Sequence, residues 1–270
     1  MEISYHITEI CNLNCVSCLH FIPISNNKKH RNLEVIKHEL DLLSKHKNIV
    51  NIFNIMGGEP TLHPQINEIL FYARKVFPQT KIGLATNGVN TKIFYNIDFL
   101  NAIKNNNIIV RMTEYNYTEN ARNNYDKIYT VLDANNIQYE GNGSLEMHKK
   151  FLKQPFSKEL HNNITNDWMC KSFHYCTMLK DNKLYVCHFA AYIDSLLDKF
   201  PEIDWIKIDE NAYVDLEQNV TDDYIANKLC KKSIICEHCV DLNRWWFTDN
   251  PEDYTEWKHS ELKKEEWIKE

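Results

Sequence analysis

Three thiols crowd eight consecutive residues near the start of the chain, Cys11-Asn12-Leu13-Asn14-Cys15-Val16-Ser17-Cys18. They are set three and then two residues apart, on a loop that leaves an apolar strand. Thiolates at such density can hold an iron-sulfur cluster, a group normally gripped by cysteine sulfur. Three protein ligands leave one iron of a four-iron cluster open, and an open iron is a place for a substrate or cofactor. Two further short runs lie downstream, Gly57-Gly58-Glu59-Pro60 and Thr86-Asn87-Gly88, each at the end of an apolar segment.

These three signatures, in this order and separation, resemble those of the radical S-adenosylmethionine (radical SAM) superfamily. The resemblance implies a [4Fe-4S] cluster on Cys11, Cys15 and Cys18 whose open iron chelates the amino and carboxylate groups of S-adenosylmethionine. One electron, from a donor such as flavodoxin or ferredoxin, would break the carbon-sulfur bond, and the 5'-deoxyadenosyl radical would take a hydrogen atom from an unactivated carbon. By the same resemblance Gly57, Gly58 and Glu59 face the methionine ammonium, and Pro60 shapes their turn. Glycine permits close backbone approach, and an acceptor suits an ammonium. Thr86 and Asn87 are expected at the ribose hydroxyls. Arg111 has two readings, a fork on the methionine carboxylate or a surface ion pair with a helix. Glu114 is expected to face the substrate, as a catalytic group. One departure is Ser17, which stands where the family usually has an aromatic near the adenine; His20 or Phe21 would have to replace that contact.

Six more cysteines lie between residues 170 and 239: Cys170, Cys176, Cys187, Cys230, Cys236 and Cys239. Cys236-Glu237-His238-Cys239 has the two-residue gap common to zinc and iron-sulfur sites. A hairpin over 177–186 turning at Asp181-Asn182 lies before it. This half resembles the Twitch module, a shortened SPASM domain carrying one auxiliary [4Fe-4S] cluster. The resemblance implies Cys170, Cys187, Cys236 and Cys239 as ligands, with Asn182 in place of a turn glycine because Asn also visits left-handed conformations. Cys176 is the other candidate for the first ligand. Left unused, Cys176 and Cys230 read as small buried hydrophobes, or Cys176 as a hydrogen-atom donor to a substrate radical, as in family members that epimerise. Arg244-Trp245-Trp246-Phe247 has the bulk of a water-excluding lid over a cluster.

The elements that must position these residues follow from hydrophobic period. Strands are expected over 2–10, 49–56, 81–86, 108–114 and 137–140, alternating with helices over 33–46, 64–77, 91–106 and 121–136. Strands and helices in alternation argue for a parallel sheet with right-handed crossovers. The fold class is therefore α/β, a partial (β/α) barrel of about five or six parallel strands with the signatures on one rim, followed by a small cysteine-rich α+β module. The expected division is 1–168 for the core, 169–250 for the auxiliary module and 251–270 for a solvated helical tail docked by its aromatics.

Composition sets bounds. The chain has 270 residues, a net charge of -6 and 31 scattered basic residues, which gives no footprint for nucleic acid. No apolar run approaches membrane-spanning length and no cleavable signal is present, so a cytoplasmic protein is expected. The first strand begins almost at the initiator Met, so no N-terminal recognition domain is expected. Nine cysteines cannot all pair with one another and read as ligands rather than disulfides. Three functions remain: oxidation or epimerisation of a small polyhydroxylated molecule such as a sugar, nucleotide sugar or aminocyclitol; radical epimerisation or crosslinking of a ribosomal peptide; or a zinc-stabilised binding protein. A compact core with one auxiliary cluster looks like the aminocyclitol dehydrogenases of the superfamily, and this favours the first.

Overall fold

The computed structural model describes residues 1–115, 119–141, 150–152, 154–160, 176–240, 254–256 and 258–269. The chain forms two compact units, one of Ser4–Asn12 with Lys28–Lys149 and one of Met1–Ile3, Leu13–Asn27 and Lys150–Glu270.

The first of these, the parallel unit, alternates β1 (Glu2–His6), α1 (Leu33–Ser44), β2 (Ile52–Met56), α2 (Ile66–Val76), β3 (Lys81–Thr86), α3 (Ile97–Asn105), β4 (Ile108–Met112), α4 (Glu119–Ala134) and β5 (Tyr139–Gly141). Its strands lie in the order β1-β2-β3-β4-β5, and β2 to β5 pair parallel, with Leu84 opposite Val110 and Arg111 opposite Glu140. The result is an α/β fold with a mostly parallel sheet, consistent with the expected partial barrel. Alternate strand residues Tyr5, Ile7, Phe53, Ile55, Ile82, Leu84, Val110 and Met112 are buried, as are Leu40, Ile69, Phe99 and Ile128 on the four helices. That alternation made the strands legible.

The expected helix over 91–106 is broken. A short 3-10 turn covers Thr91–Tyr95, and α3 restarts because the Asn96 side chain accepts from the N–H groups of Asp98 and Phe99 at 2.9 and 3.0 Å.

The opposite face of the sheet is polar. Arg111 Nη1 donates to Asn54 Oδ1 at 2.8 Å and Nε to Glu140 Oε2 at 3.1 Å, and Lys81 Nζ reaches Glu140 Oε1 at 2.6 Å. Asn54 lies within 3.5 Å of Ser4 Oγ. Parallel sheets are usually apolar on both faces. A charged face is suited to lining a binding space.

The cysteine-rich unit contains β6 (Lys150–Leu152), β7 (Phe156–Ser157), β8 (Thr177–Lys180), β9 (Lys183–Tyr185), α5 (His188–Lys199), β10 (Tyr213–Asp215), α6 (Asp222–Lys228), α7 (Ile235–His238), β11 (Tyr254–Glu256) and β12 (Ile268–Lys269). β8, β9 and β10 form an antiparallel meander over the buried Phe189, Ile193 and Leu196 of α5. β6 pairs antiparallel with β11, and β7 parallel with β12. The hairpin turn is the expected one, with φ of 50° at Asp181 and 62° at Asn182.

One expectation needs correction here. Among the described residues of 252–270 there is no α-helix; the segment holds β11, a 3-10 turn (Lys264–Glu266) and β12. Its carbonyls are taken by neighbours instead of by a helix: Ser17 Oγ donates to Glu266 O at 2.8 Å and the Phe156 N–H to Trp267 O at 3.1 Å. The expected division at 169 lies outside the described residues; the cysteine-rich unit resumes at Lys150 and takes in Leu13–Asn27. That segment packs within it, through Phe21 against Phe156 and Phe189 and through the Val16 N–H on Lys258 O at 2.9 Å. Among the described residues no helix is long and apolar enough to cross a membrane.

At the N-terminal ends of β3 and β4, Arg74 ties the loops together. It donates to Asn106 O (2.7 Å), Phe77 O (3.0 Å), Thr80 O (2.8 Å) and Asn107 O (3.0 Å). Replacing Arg74 with Leu leaves these carbonyls unserved, and the expected cost is about 2–4 kcal/mol, measured as a lowered denaturant midpoint. Lys should recover only part of it, because one ammonium cannot span the fork.

Candidate active site

The C-terminal ends of β2, β3 and β4 lead into Gly57-Gly58, Asn87 and Glu114 respectively. The first two are joined by one buried carboxylate. Glu59 has no solvent exposure. Its Oε1 accepts from the Thr61 N–H (3.1 Å), Thr61 Oγ1 (2.6 Å) and Thr86 Oγ1 (2.6 Å), and its Oε2 from the Asn87 N–H (2.8 Å). Burial pushes this carboxyl up, against the four donors that hold it down. The Thr61 and Asn87 N–H groups can only donate, one to each oxygen, so both oxygens must accept.

Held this way, Asn87 turns its side-chain amide to Asn12 Oδ1 at 2.8 Å and to Cys11 Sγ at 3.7 Å, while its Oδ1 accepts from the Val89 N–H at 2.9 Å. The stem of the cysteine loop is fastened from the other side. The Gly58 N–H donates to Thr8 O and the Glu59 N–H to Ile10 O, both at 2.8 Å. A Cβ on Gly57, whose φ is +156°, or on Gly58 would come within 2.4 Å of those same carbonyl oxygens. Only glycine allows this approach.

The motif residues thus have structural work that spacing alone did not reveal. The Glu59 carboxylate, expected at an ammonium, links the two loops, and it caps the 3-10 turn Pro60–Leu62 in which Pro60 takes part. The Thr86 hydroxyl, expected at a ribose, donates to Glu59 and accepts from the Gly88 N–H at 3.1 Å. Arg111 forms its ion pair with Glu140 on the neighbouring strand, not with a helix. Glu114 accepts from the Tyr129 hydroxyl.

Cys11 belongs to the parallel unit, and Cys15 and Cys18 to the cysteine-rich unit. All three are half-buried thiols. In the cysteine-rich unit the loop is pinned by Ser17, whose φ is 53° and whose side chain is buried, and by Trp267 Nε1, which donates to Cys18 O at 3.0 Å. Burial pushes the Cys18 thiol up, and the backbone N–H groups of Ile22, His20 and Phe21 pull it down. Phe21 is a fully buried core residue, and His20 packs against His188 with ring centres 5.2 Å apart.

Among the later cysteines, the hairpin pairs Leu179 with Leu184 and Met178 with Tyr185. Carried two residues further, that register would set Cys176 opposite Cys187. Cys187 is also the N-cap of α5, where the helix dipole favours an anionic sulfur. Cys236 lies in α7 and Cys239 caps its end. Cys170 and Arg244 to Phe247 lie outside the described residues.

Among the described residues no three His, Cys, Asp or Glu side chains already converge as a metal site. The donor chemistry nonetheless fits an iron-sulfur cluster: thiols free of disulfides, with N–H groups directed at Cys11 and Cys18 sulfur.

Sequence reasoning missed Asn12, Asn54, Tyr125 and Tyr129. Tyr125 donates to Asn87 O at 3.2 Å and accepts from the Tyr115 N–H at 3.0 Å, tying β4 to the Asn87 loop. The available signal was the four-residue spacing of the two tyrosines on α4, which sets them on one helix face.

Residues 5–129, a little under half of the chain, match the Radical SAM superfamily. This stretch holds all three signatures and the strands β2 to β4 of the mostly parallel sheet. Among solved structures the chain is similar to BtrN, solved in complex with AdoMet and 2-DOIA, at 18% identity and a TM-score of 0.39 over 53% of this chain and 57% of that one. It is also similar to Streptococcus suis SuiB bound to S-adenosylmethionine, at 15% identity and a TM-score of 0.31 over 53% of this chain and 41% of that one. The chain therefore spans little more than half of BtrN and less than half of SuiB. No curated protein matches.

Glu59→Gln gives a direct check on the buried link. An amide would aim N–H groups at donors, so a loss of about 2–4 kcal/mol in stability is expected, read by chemical denaturation of the protein before iron is added. A variant as stable as the wild type would mean that the carboxylate does not join the two loops.

Proposed function

We propose that the chain is a radical SAM enzyme acting on a small polyhydroxylated molecule, such as a sugar, nucleotide sugar or aminocyclitol, with oxidation or epimerisation as the outcome. The observation that carries this reading is the hydrogen-bonded line from Glu59 through Thr86 and Asn87 to Cys11, which joins Cys11 to two motif runs distant in sequence. When bound, a [4Fe-4S] cluster and S-adenosylmethionine supply an electron and a 5'-deoxyadenosyl radical able to take hydrogen from carbon.

The chain's own residues hold and orient. Cys11, Cys15 and Cys18 would grip the cluster, and the backbone of Gly57 and Gly58 with the Asn87 amide would hold the methionine and ribose. Glu59, Pro60 and Thr86 keep those groups in place. The polar sheet face around Asn54, Arg111 and Glu140 suits a hydroxyl-rich substrate. An auxiliary [4Fe-4S] cluster would use Cys187, Cys236 and Cys239. For the fourth ligand the hairpin register favours Cys176 over Cys170, and so favours a ligand over a hydrogen donor. A flavodoxin or ferredoxin would supply the electron.

Two measurements test this. Anaerobically reconstituted wild type should carry about eight irons per chain, falling to about four in Cys176→Ser and unchanged in Cys170→Ser; the reverse pattern would restore Cys170 as ligand. With dithionite and S-adenosylmethionine the wild type should release 5'-deoxyadenosine and Cys11→Ser should release none. An iron-loaded wild type that never does so would end the radical reading.

A further inference from the structure

Glu114 and Tyr129 form a pair whose construction exceeds what packing requires. Glu114 stands two residues beyond β4, at the end of the sheet that also carries Gly57 and Asn87. The Tyr129 hydroxyl, reaching over from α4, donates to its Oε1. Burial, then the hydrogen bond to Glu114, pushes the Tyr129 phenol up, so it remains a donor. Its ring is fixed against Tyr139, with centroids 4.7 Å apart.

β5 ends by making room for the pair. A Cβ on Gly141 would lie 2.7 Å from Tyr129 Oη and 3.0 Å from Glu114 Oε1. Any other residue would make one of these two side chains shift. The backbone beside Glu114 is fixed to the Asn87 loop through Tyr125, which accepts from the Tyr115 N–H and donates to Asn87 O. A carboxylate offers about four acceptor positions, and Tyr129 takes one of them. Glu114 is only half-buried, so its remaining oxygen can meet a ligand.

We propose that Glu114 is a substrate-binding residue, with Tyr129 as its positioning residue: the phenol anchors one carboxylate oxygen and leaves the other to accept a hydrogen bond from a hydroxyl or ammonium of the substrate. The substrate class rests on the function proposed above, while the geometry of the dyad does not.

The test uses full-length protein labelled with carboxyl-13C glutamate, the Glu114 resonance being assigned by its loss in Glu114→Gln. Wild type is titrated separately with myo-inositol, which offers only hydroxyls, and 2-deoxystreptamine, which adds ammonium groups. The Glu114 resonance should move with at least one probe, and which one tells the two donors apart. Tyr129→Phe keeps the ring and should weaken that binding about tenfold, the effect of one charge-assisted hydrogen bond, with the melting temperature held within a few degrees. Gly141→Ala, which alters neither partner, should weaken it similarly. The proposal is overturned if neither probe moves the resonance, or if both variants bind as tightly as wild type. Release of 5'-deoxyadenosine by wild type without either probe reports on the radical chemistry independently, so the two failures are separable.

Discussion

A single ionisable group with no access to water holds the site together. Burying a carboxylate is costly unless every acceptor position in use meets a donor. Glu59 meets this condition with two hydroxyls and two backbone N–H groups drawn from Thr61, Thr86 and Asn87. The consequence is rigidity where two loops would otherwise move separately. Because the Asn87 backbone is fixed by that contact, its side chain is committed to Asn12 and the Cys11 sulfur. Such a contact can tune the charge a cysteine carries toward a metal. The glycines before Glu59 act in the same direction, admitting the backbone of Thr8 and Ile10 at a distance no side chain would tolerate.

Much of the parallel unit could be read from the chain because its strands alternate between helix-facing and open sides. Lys81–Thr86 was delimited to the residue, and the remaining strands and helices differed mainly at their ends. The failures share a physical cause. Asn96 interrupts an otherwise continuous apolar period by capping a new helix, a local hydrogen bond that periodicity does not register. The segment after residue 252 has helix-forming composition, yet the carbonyls of Glu266 and Trp267 are claimed by Ser17, Gln154 and Phe156. Tertiary partners override propensity in such cases.

The candidate site divides along the same line. Residue type and spacing singled out the cysteines, the glycines and Asn87, since those signals are local. They did not find the task of Glu59, whose partners lie 27 and 28 residues away, or of Tyr129, whose partner is on the preceding strand connection. Phase within a strand was equally hidden: Arg111 lies on the polar face, where Asn54 and Glu140 claim its guanidinium. For the later cysteines linear spacing pointed to Cys170, which lies outside the described residues, and the hairpin before Cys187 pairs 178–180 with 183–185.

The loop that carries Cys15 and Cys18 has its backing in residues some 249 positions later, through Ser17 on Glu266 and Trp267 on Cys18. During translation at about 5–20 residues per second, roughly 12 to 50 s separate the emergence of the two. Throughout that interval the nascent loop lacks the contacts that shape it. Metal delivered while the ribosome is still at work would meet thiols not yet held in their final arrangement, so maturation of this protein belongs after synthesis rather than alongside it.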